Sequence, residues 1–303
     1  MIHALKSLFN RNSVHFKAGA VALVASGCLA GGVNASTLHY WSWEGEDGTP
    51  PQSGGIPGTG TWWQDKEGSG NMNWQTDGGV ERLELPESGP GSAFPNPIPL
   101  TGETNTHGVD ASEGYIRTSN LETFNRNSFT FETYFNAMST AGFTRFFDIS
   151  TSTVQSQGGV RDGMLAARVY NDDGSFNSEH TNISSSLAVE ADKDYYVAIA
   201  ISTGENAEDR FVDFYLQNLT DGGSLQHERV AIWDGFTSLY HRNGGISMRV
   251  GRDNNFQALG DIRYSDGVLD QSELMIIPEP GSVGLLLGGL ALTLTGRRRG
   301  EIS

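Results

Sequence analysis

Apolar and polar residues alternate with period two along much of this chain, and no window sustains the 3.6-residue period of an amphipathic helix. Eleven runs read as strands: Leu38–Glu44, Val80–Leu85, Tyr115–Thr118, Ser128–Asn136, Phe143–Ser150, Met164–Asn171, Tyr195–Ser202, Arg210–Gln217, Gln226–Trp233, Ile246–Gly251 and Asp261–Tyr264. In Ser128–Asn136, Phe129, Phe131, Thr133 and Phe135 share one face, and Thr130, Glu132 and Tyr134 share the other. That pattern predicts a sheet with one buried and one wet wall. Turn chemistry separates the runs at Asp172-Asp173-Gly174, Thr220-Asp221-Gly222-Gly223 and Asn243-Gly244-Gly245. Residues 45–79 and 86–109 are rich in Gly and Pro and read as long loops. Asp270-Gln271-Ser272-Glu273 has the side chains of a capping box, so one short helix is expected there. Many short strands at this spacing predict one all-β, antiparallel β-sandwich of jelly-roll type over residues 36–277, with no repeat and no second domain.

The two ends have a different character. Residues 1–17 are basic and hold no acid, Ala18–Ala30 is small and apolar, and Val33-Asn34-Ala35 offers small residues before Ser36. This order predicts a signal peptide over 1–35, cut between Ala35 and Ser36. Ala25-Ser26-Gly27-Cys28 also approaches a lipoprotein cleavage pattern, with Ala in the place of the usual Leu. At the other end, Pro278-Glu279-Pro280 precedes sixteen uncharged residues, Gly281–Gly296, and then Arg297-Arg298-Arg299. A helix of that length spans about 24 Å against a hydrocarbon core of about 30 Å, so it inserts in a membrane only marginally. The arginines would hold its end on the cytoplasmic side. The arrangement over 278–303 resembles the PEP-CTERM sorting signal of exopolysaccharide-producing Gram-negative bacteria. That resemblance implies transient inner-membrane insertion of a short transmembrane helix and processing by an exosortase-type sorting enzyme. It also implies delivery to the cell envelope, the outer surface or the extracellular matrix.

Charge narrows the partners. The chain totals −16, yet the two ends carry +3 and +2, which leaves −21 on residues 36–296. Such a body repels nucleic acid and anionic headgroups, and it disfavours polyanionic ligands generally. The single cysteine, Cys28, lies in the leader, so the body has no disulfide and no thiolate metal site.

Candidate chemistry is sparse. Glu190-Ala191-Asp192-Lys193-Asp194 is the nearest approach to the paired carboxylates a glycosidase needs, but it reads as a solvated turn. His227-Glu228 begins a zincin motif that Ala231 breaks. No catalytic residue and no metal ligand is assigned. Calcium is the one ion worth weighing, because Asn171–Gly174 and Asp253-Asn254-Asn255 carry suitable oxygen ligands; both also read as ordinary turns. Trp41 and Trp43 alternate on one strand and read as core. Trp62 and Trp63 are adjacent within Gly-rich sequence, cannot both face inward if extended, and are the expected glycan-stacking residues.

Several stretches, in order, resemble the concanavalin A-like, laminin-G-type (LamG) jelly rolls. They are Tyr40–Glu44, Gly114–Arg117 with Ser128–Phe135, Asp194–Ala198, Arg210–Gln217, Met248–Gly251, and Gly260–Ile262 with Leu269–Leu274. The resemblance implies the fold but no activity, since that fold hosts lectins, hydrolases, lyases and spacers. The reading is therefore an exported, non-catalytic glycan-binding or structural protein. The alternative is an extracellular polysaccharide hydrolase or lyase, which would show two carboxylates converging in a cleft. A pure spacer would show neither cleft nor ligand. Intact-mass spectrometry of the native protein should find Ser36 as the first residue and the tail lost near Pro278–Pro280; retention of both termini would overturn the sorting reading.

Overall fold

The structure, a computed structural model, describes residues 36–44, 75–78, 80–99, 101–118, 121–150, 154–171, 182–204, 206–233, 235–236, 238–239 and 246–276. All of them lie in the second of two compact units, Met1–Asn34 and Ala35–Ser303. Fifteen strands follow in order: β1 (Thr37–Trp41), β2 (Gln75–Gly78), β3 (Glu81–Glu84), β4 (His107–Ala111), β5 (Gly114–Arg117), β6 (Ser128–Ala137), β7 (Phe143–Ser150), β8 (Val154–Arg161), β9 (Met164–Val169), β10 (Asn182–Ala188), β11 (Asp194–Thr203), β12 (Arg210–Asn218), β13 (Gln226–Ala231), β14 (Ser247–Arg252) and β15 (Phe256–Asp266).

These strands make two wholly antiparallel sheets. One has eight strands in the order β13-β12-β11-β6-β15-β4-β3, with β1 also on β15; the other has seven, β10-β9-β8-β7-β14-β5-β2. The predicted all-β antiparallel sandwich is thus the observed architecture. Phe129, Phe131 and Phe135 of β6 and Val197, Ile199 and Ile201 of β11 face Phe147, Ile149, Val160, Met248 and Val250 of the other sheet. The Phe147 ring lies 5.8 Å from Phe129 and 4.8 Å from Phe131. Trp41 and Trp43 are wholly buried in this core, as their alternation predicts.

All eleven predicted strands are present, and four more lie outside the predicted runs. β2 and much of β4 fall in stretches that read as loops. Strand β4 continues the line of β1 along one edge of β15: Val109 pairs with Leu259, and Trp41 with Ile262. The Glu44 carboxylate joins the two ends by accepting from the backbone N–H groups of Thr106 and His107. β8, VQSQGGVR, looks like a turn in sequence because of its glycines. Its glycines are sites of close approach instead: a Cβ at Gly158 would meet the Phe147 ring, and one at Gly159 the Thr144 carbonyl. β10, NISSSLA, carries serines where a strand pattern calls for apolar residues; Ser185 faces inward and donates to the Leu165 carbonyl at 3.0 Å. The expected helix at Asp270 is a single 3-10 turn, Gln271–Glu273, whose Glu273 carboxylate accepts from the Asp270 N–H at 2.8 Å.

One expectation fails. The supposedly wet wall of β6 is covered, for Thr130, Glu132 and Tyr134 are all wholly buried. Segments 85–106 and 267–276 lie over the outer face of the eight-stranded sheet. They form a second apolar cluster there, with Phe94, Ile98, Leu269, Leu274 and Met275 against Tyr134, Tyr196 and Ala198. Two carboxylates pin these coverings. Asp194 accepts from the N–H groups of Gly91 and Ala93, both at 2.8 Å, and from the Asn136 amide at 2.7 Å. Glu132 accepts from Arg263 Nε at 2.5 Å, Tyr196 Oη at 2.5 Å and the Met275 N–H at 2.8 Å. Arg263 also donates to the Glu273 carbonyl, and Tyr134 Oη to that of Met275 at 2.5 Å.

Burial pushes the Glu132 carboxyl above its usual range despite the opposing pull of Arg263. A group whose proton is held more tightly in the folded state loses stability as pH rises above the ordinary carboxylate range. Arg263→Met removes the opposing charge, so it should cost about 3–5 kcal/mol near neutral pH, the usual effect of orphaning a buried charge. The loss should be smaller in acid than near neutral pH, because protonating Glu132 removes the unpaired charge. Urea denaturation at both pH values checks this; a loss independent of pH would refute it.

Candidate functional site

The seven-stranded sheet differs from its partner in what its outer face carries. Backbone register places Asn182 of β10 beside Arg168 of β9, then Gln157 of β8, Asp148 of β7, Arg249 of β14 and Arg117 of β5. The chain neighbours Ala167, Val169, Ile149, Val250 and Ile116 enter the core, so strict alternation turns this row outward. With strands about 4.8 Å apart, a row across these six strands is about 24 Å long. A parallel row begins with Arg145 and its partner Arg252, and Phe143 pairs with Arg161 one step further on.

Asp148 organises the middle of the face. Its carboxylate is wholly buried among three arginines, with Arg145 at 3.5 Å, Arg249 at 3.8 Å and Arg252 in direct contact. Asp148 Oδ1 has no hydrogen-bond partner among the described residues. Asp253, which follows β14, clamps the Arg145 guanidinium through both carboxylate oxygens, with Nε at 2.7 Å. Burial works against the Arg145 charge, but Asp253 and Asp148 outweigh it and hold the guanidinium above its ordinary pKa. Among the described residues, the remaining arginines of the face hydrogen-bond or stack with neutral groups. Arg168 donates to Asn182 Oδ1 at 2.9 Å and Gln157 Oε1 at 3.4 Å, and Arg117 to Ser247 Oγ at 3.2 Å. Arg161 lies over the Phe143 ring, 4.6 Å from its centre. Six guanidiniums therefore share this face with Asp148 and Asp253, and with Asp162 at its rim.

The residues singled out from sequence go elsewhere. Glu190 and Lys193 form an exposed ion pair at 2.9 Å, and Asp192 turns the chain at φ 58°. Asp194 is a correction: it does not belong to a solvated turn but is buried as the pin of segment 85–106. His227 stacks on Tyr215 and meets Asp213 at 2.9 Å, while Glu228 accepts from the N–H and hydroxyl of Ser186 at 2.7 and 2.6 Å, tying β13 to β10. Of the calcium candidates, Asp253 is occupied by Arg145, and Asn255 donates to Thr144 Oγ1 at 3.0 Å. No group of three or more metal-ligating side chains occurs among the described residues. Ser36 precedes β1 and is exposed. Trp62, Trp63, Ala35, residues 172–174, Pro278–Pro280 and Arg297–Arg299 lie outside the described residues. No helix among the described residues is long and apolar enough to cross a membrane.

A cleft of about 470 Å³ opens at the side of the sandwich, lined by Ser186, Glu190, Tyr195, Asn218 and Gln226. Most of its polar groups are already committed: Ser186 to Glu228, Glu190 to Lys193 and Asn218 to Asp221. The arginine face offers more uncommitted donors over a longer track, and its two central carboxylates are both engaged by guanidiniums. No free acid–base pair stands on it among the described residues.

No protein-family model matches the chain, and no curated protein does. Solved structures similar to it include a receptor-binding domain of botulinum neurotoxin mosaic serotype C/D, 12% identical with a TM-score of 0.48, matching 86% of this chain and 52% of that one. Another is the binding domain of botulinum neurotoxin DC in complex with SialylT, 11% identical with a TM-score of 0.46, matching 84% and 52%. A third is the botulinum neurotoxin serotype G binding domain, 9% identical with a TM-score of 0.47, matching 78% and 49%. The chain spans about half the length of these structures.

Asp148→Asn should destabilise the protein by about 1–3 kcal/mol, because donors that shared a carboxylate are left poorly satisfied. Repulsion among Arg145, Arg249 and Arg252 would then add a component that salt screens. Denaturation in low and high salt checks this; a loss unchanged by salt would show that the three charges do not repel across that site.

Proposed function

We propose that this is an exported, non-catalytic glycan-binding protein that uses the outer face of the seven-stranded sheet. The observation that carries the reading is the polar row Asn182–Arg168–Gln157–Asp148–Arg249–Arg117 on the outer face of the seven-stranded sheet, on the opposite side of the sandwich from segments 85–106 and 267–276. Amides and guanidiniums are fixed donors suited to hydroxyl and ring oxygens, and a track about 24 Å long accommodates a chain rather than a single sugar. The leader over 1–35 supports export. The Pro278–Arg299 arrangement supports processing by an exosortase-type enzyme and residence at the cell surface or in an exopolysaccharide matrix.

A screen of immobilised polysaccharides against the purified protein, run with calcium and with chelator, tests the reading. The expected result is retention on at least one polymer without release of reducing sugar or unsaturated product. Release of either product would establish an enzyme instead, and retention on none would remove the glycan reading. Trp62→Ala and Trp63→Ala, compared in the same screen, test whether those rings contribute to the contact.

A further inference from the structure

We propose that Arg161 and Arg168, standing beside the Phe143 ring, form an anion clamp that takes a carboxylate or sulfate group of an acidic polysaccharide. The inference rests on the glycan reading above and names its substrate class.

The first observation is geometric. Arg161 pairs with Phe143 across β7 and β8, and Arg168 reaches the same ring from β9, with guanidinium carbons 4.6 and 5.3 Å from the ring centre. Register places Gly159 and Ala166 opposite each other on this face, between the rows that hold the two arginines. Ala166 contributes only a methyl group there, and the β7 backbone at Thr144 and Arg145 takes up the outer side of Gly159. Phe143 supports both planar cations by cation–π contact while leaving their N–H edges for a ligand.

The second observation is electrostatic. Five of the six arginines on the face have a hydrogen-bond or carboxylate partner, whereas Arg161 has neither among the described residues, and its Nη2 is buried without a partner. Arg168 is bonded only to the neutral side chains of Asn182 and Gln157. Two cations thus crowd one ring, and no described carboxylate pairs with either. Burial, and next the charge of Arg168, pulls the Arg161 pKa below its ordinary value, opposed more weakly by Asp162. Crowded guanidiniums with unused donors accept a planar or tetrahedral oxyanion in bidentate fashion.

The third observation selects the ligand. Arg249 and Arg117 continue the line of cations from Arg168 across the sheet. A polymer bearing regularly spaced acid groups can meet several of them at once, which a monovalent anion cannot. Outside this face the body is strongly acidic, so a polyanion is held to one track and repelled elsewhere.

The test uses the purified protein with four fluorescent probes: polygalacturonate, dextran sulfate, neutral dextran and double-stranded DNA. Affinity is read by anisotropy across a salt series. Wild type should bind one of the two acidic polysaccharides in preference to dextran and DNA, and which of the two it prefers identifies the anion. Arg161→Gln and Arg168→Gln should each weaken that binding about tenfold, one charge-assisted hydrogen bond's worth, and the pair should flatten its salt dependence. Arg161→Lys with Arg168→Lys keeps the charge and removes the bidentate fork; it should restore the salt dependence and only part of the affinity. Arg126→Gln, away from this face, should change neither.

Binding of an acidic polymer that the double Gln variant leaves unchanged would overturn the clamp. Preference for neutral dextran would overturn the acidic class while leaving the glycan reading intact, and DNA bound as well as the polysaccharides would replace it with unspecific polyanion binding. Binding of no polymer would overturn both. Melting temperatures of all variants separate lost sites from lost folding, and a Gln variant that unfolds is judged by its Lys counterpart.

Discussion

The ion pair between Glu132 and Arg263 determines which side of this sandwich meets the outside. Both groups are buried, and a charge taken from water costs several kcal/mol unless its partner and hydrogen bonds replace the solvent. Here the replacement is nearly complete, but it comes from segment 267–276 as much as from the sheet: the Met275 N–H completes Glu132, and the Glu273 carbonyl completes Arg263. The covering segment is therefore part of the solvation of the pair. A sandwich of apolar residues alone would leave that segment free to lift. With the pair in place, lifting it exposes a half-satisfied ion pair together with Leu269, Leu274 and Met275. The middle of the eight-stranded sheet is covered on both faces, and the arginine row stands on the seven-stranded sheet instead.

That division explains why net charge misleads about this protein. A body at −21 predicts repulsion of any anion, and the prediction holds for the surface as an average. Binding responds to the local field. With a Debye length of about 8 Å at physiological salt, a ligand on the seven-stranded face would meet the nearest guanidiniums, with Asp148 and Asp253 among them, before it sensed the acids of distant loops. Strand alternation produces the segregation. Arg249 lies between Met248 and Val250, and Arg168 between Ala167 and Val169, so the same residues that fill the core aim the cations outward. Asp148 and Asp253 keep the densest three from repelling one another, and Arg161 and Arg168 are left without that compensation.

How much of this was legible in the sequence follows from the range over which each interaction acts. The Phe129–Phe135 alternation is local, and it identifies both strand and core face correctly. Glycines in β8 signal a turn when read locally; their real cause, the Phe147 ring and the Thr144 carbonyl, lies on a neighbouring strand. Glu132 sits at a position whose period says water, and what keeps water out is Met275, 143 positions later in the chain. The same holds for Asp194, buried by a loop that begins 103 residues earlier at Gly91. The arginine row was invisible for a further reason. Each member is an ordinary outward residue of its own strand, and the row exists only once strand order and register are known, neither of which composition or period specifies.

The position of the covering segment also bears on how the tail can be handled. The last described side chains tied into the second core are Leu274 and Met275, with Ile276 packed against them, and the proposed sorting motif begins two residues later at Pro278. Met275 is held at both its backbone polar groups: its N–H donates to Glu132, and its carbonyl accepts from Tyr134 Oη. A cut at or beyond Pro278 thus removes no described core residue and leaves the solvation of Glu132 intact. Tension applied through the tail would reach the Met275 contacts before any strand. The covering segment is thus tied off before the tail, so the proposed glycan binding on β5, β7, β8, β9 and β14 would not change when the tail is removed.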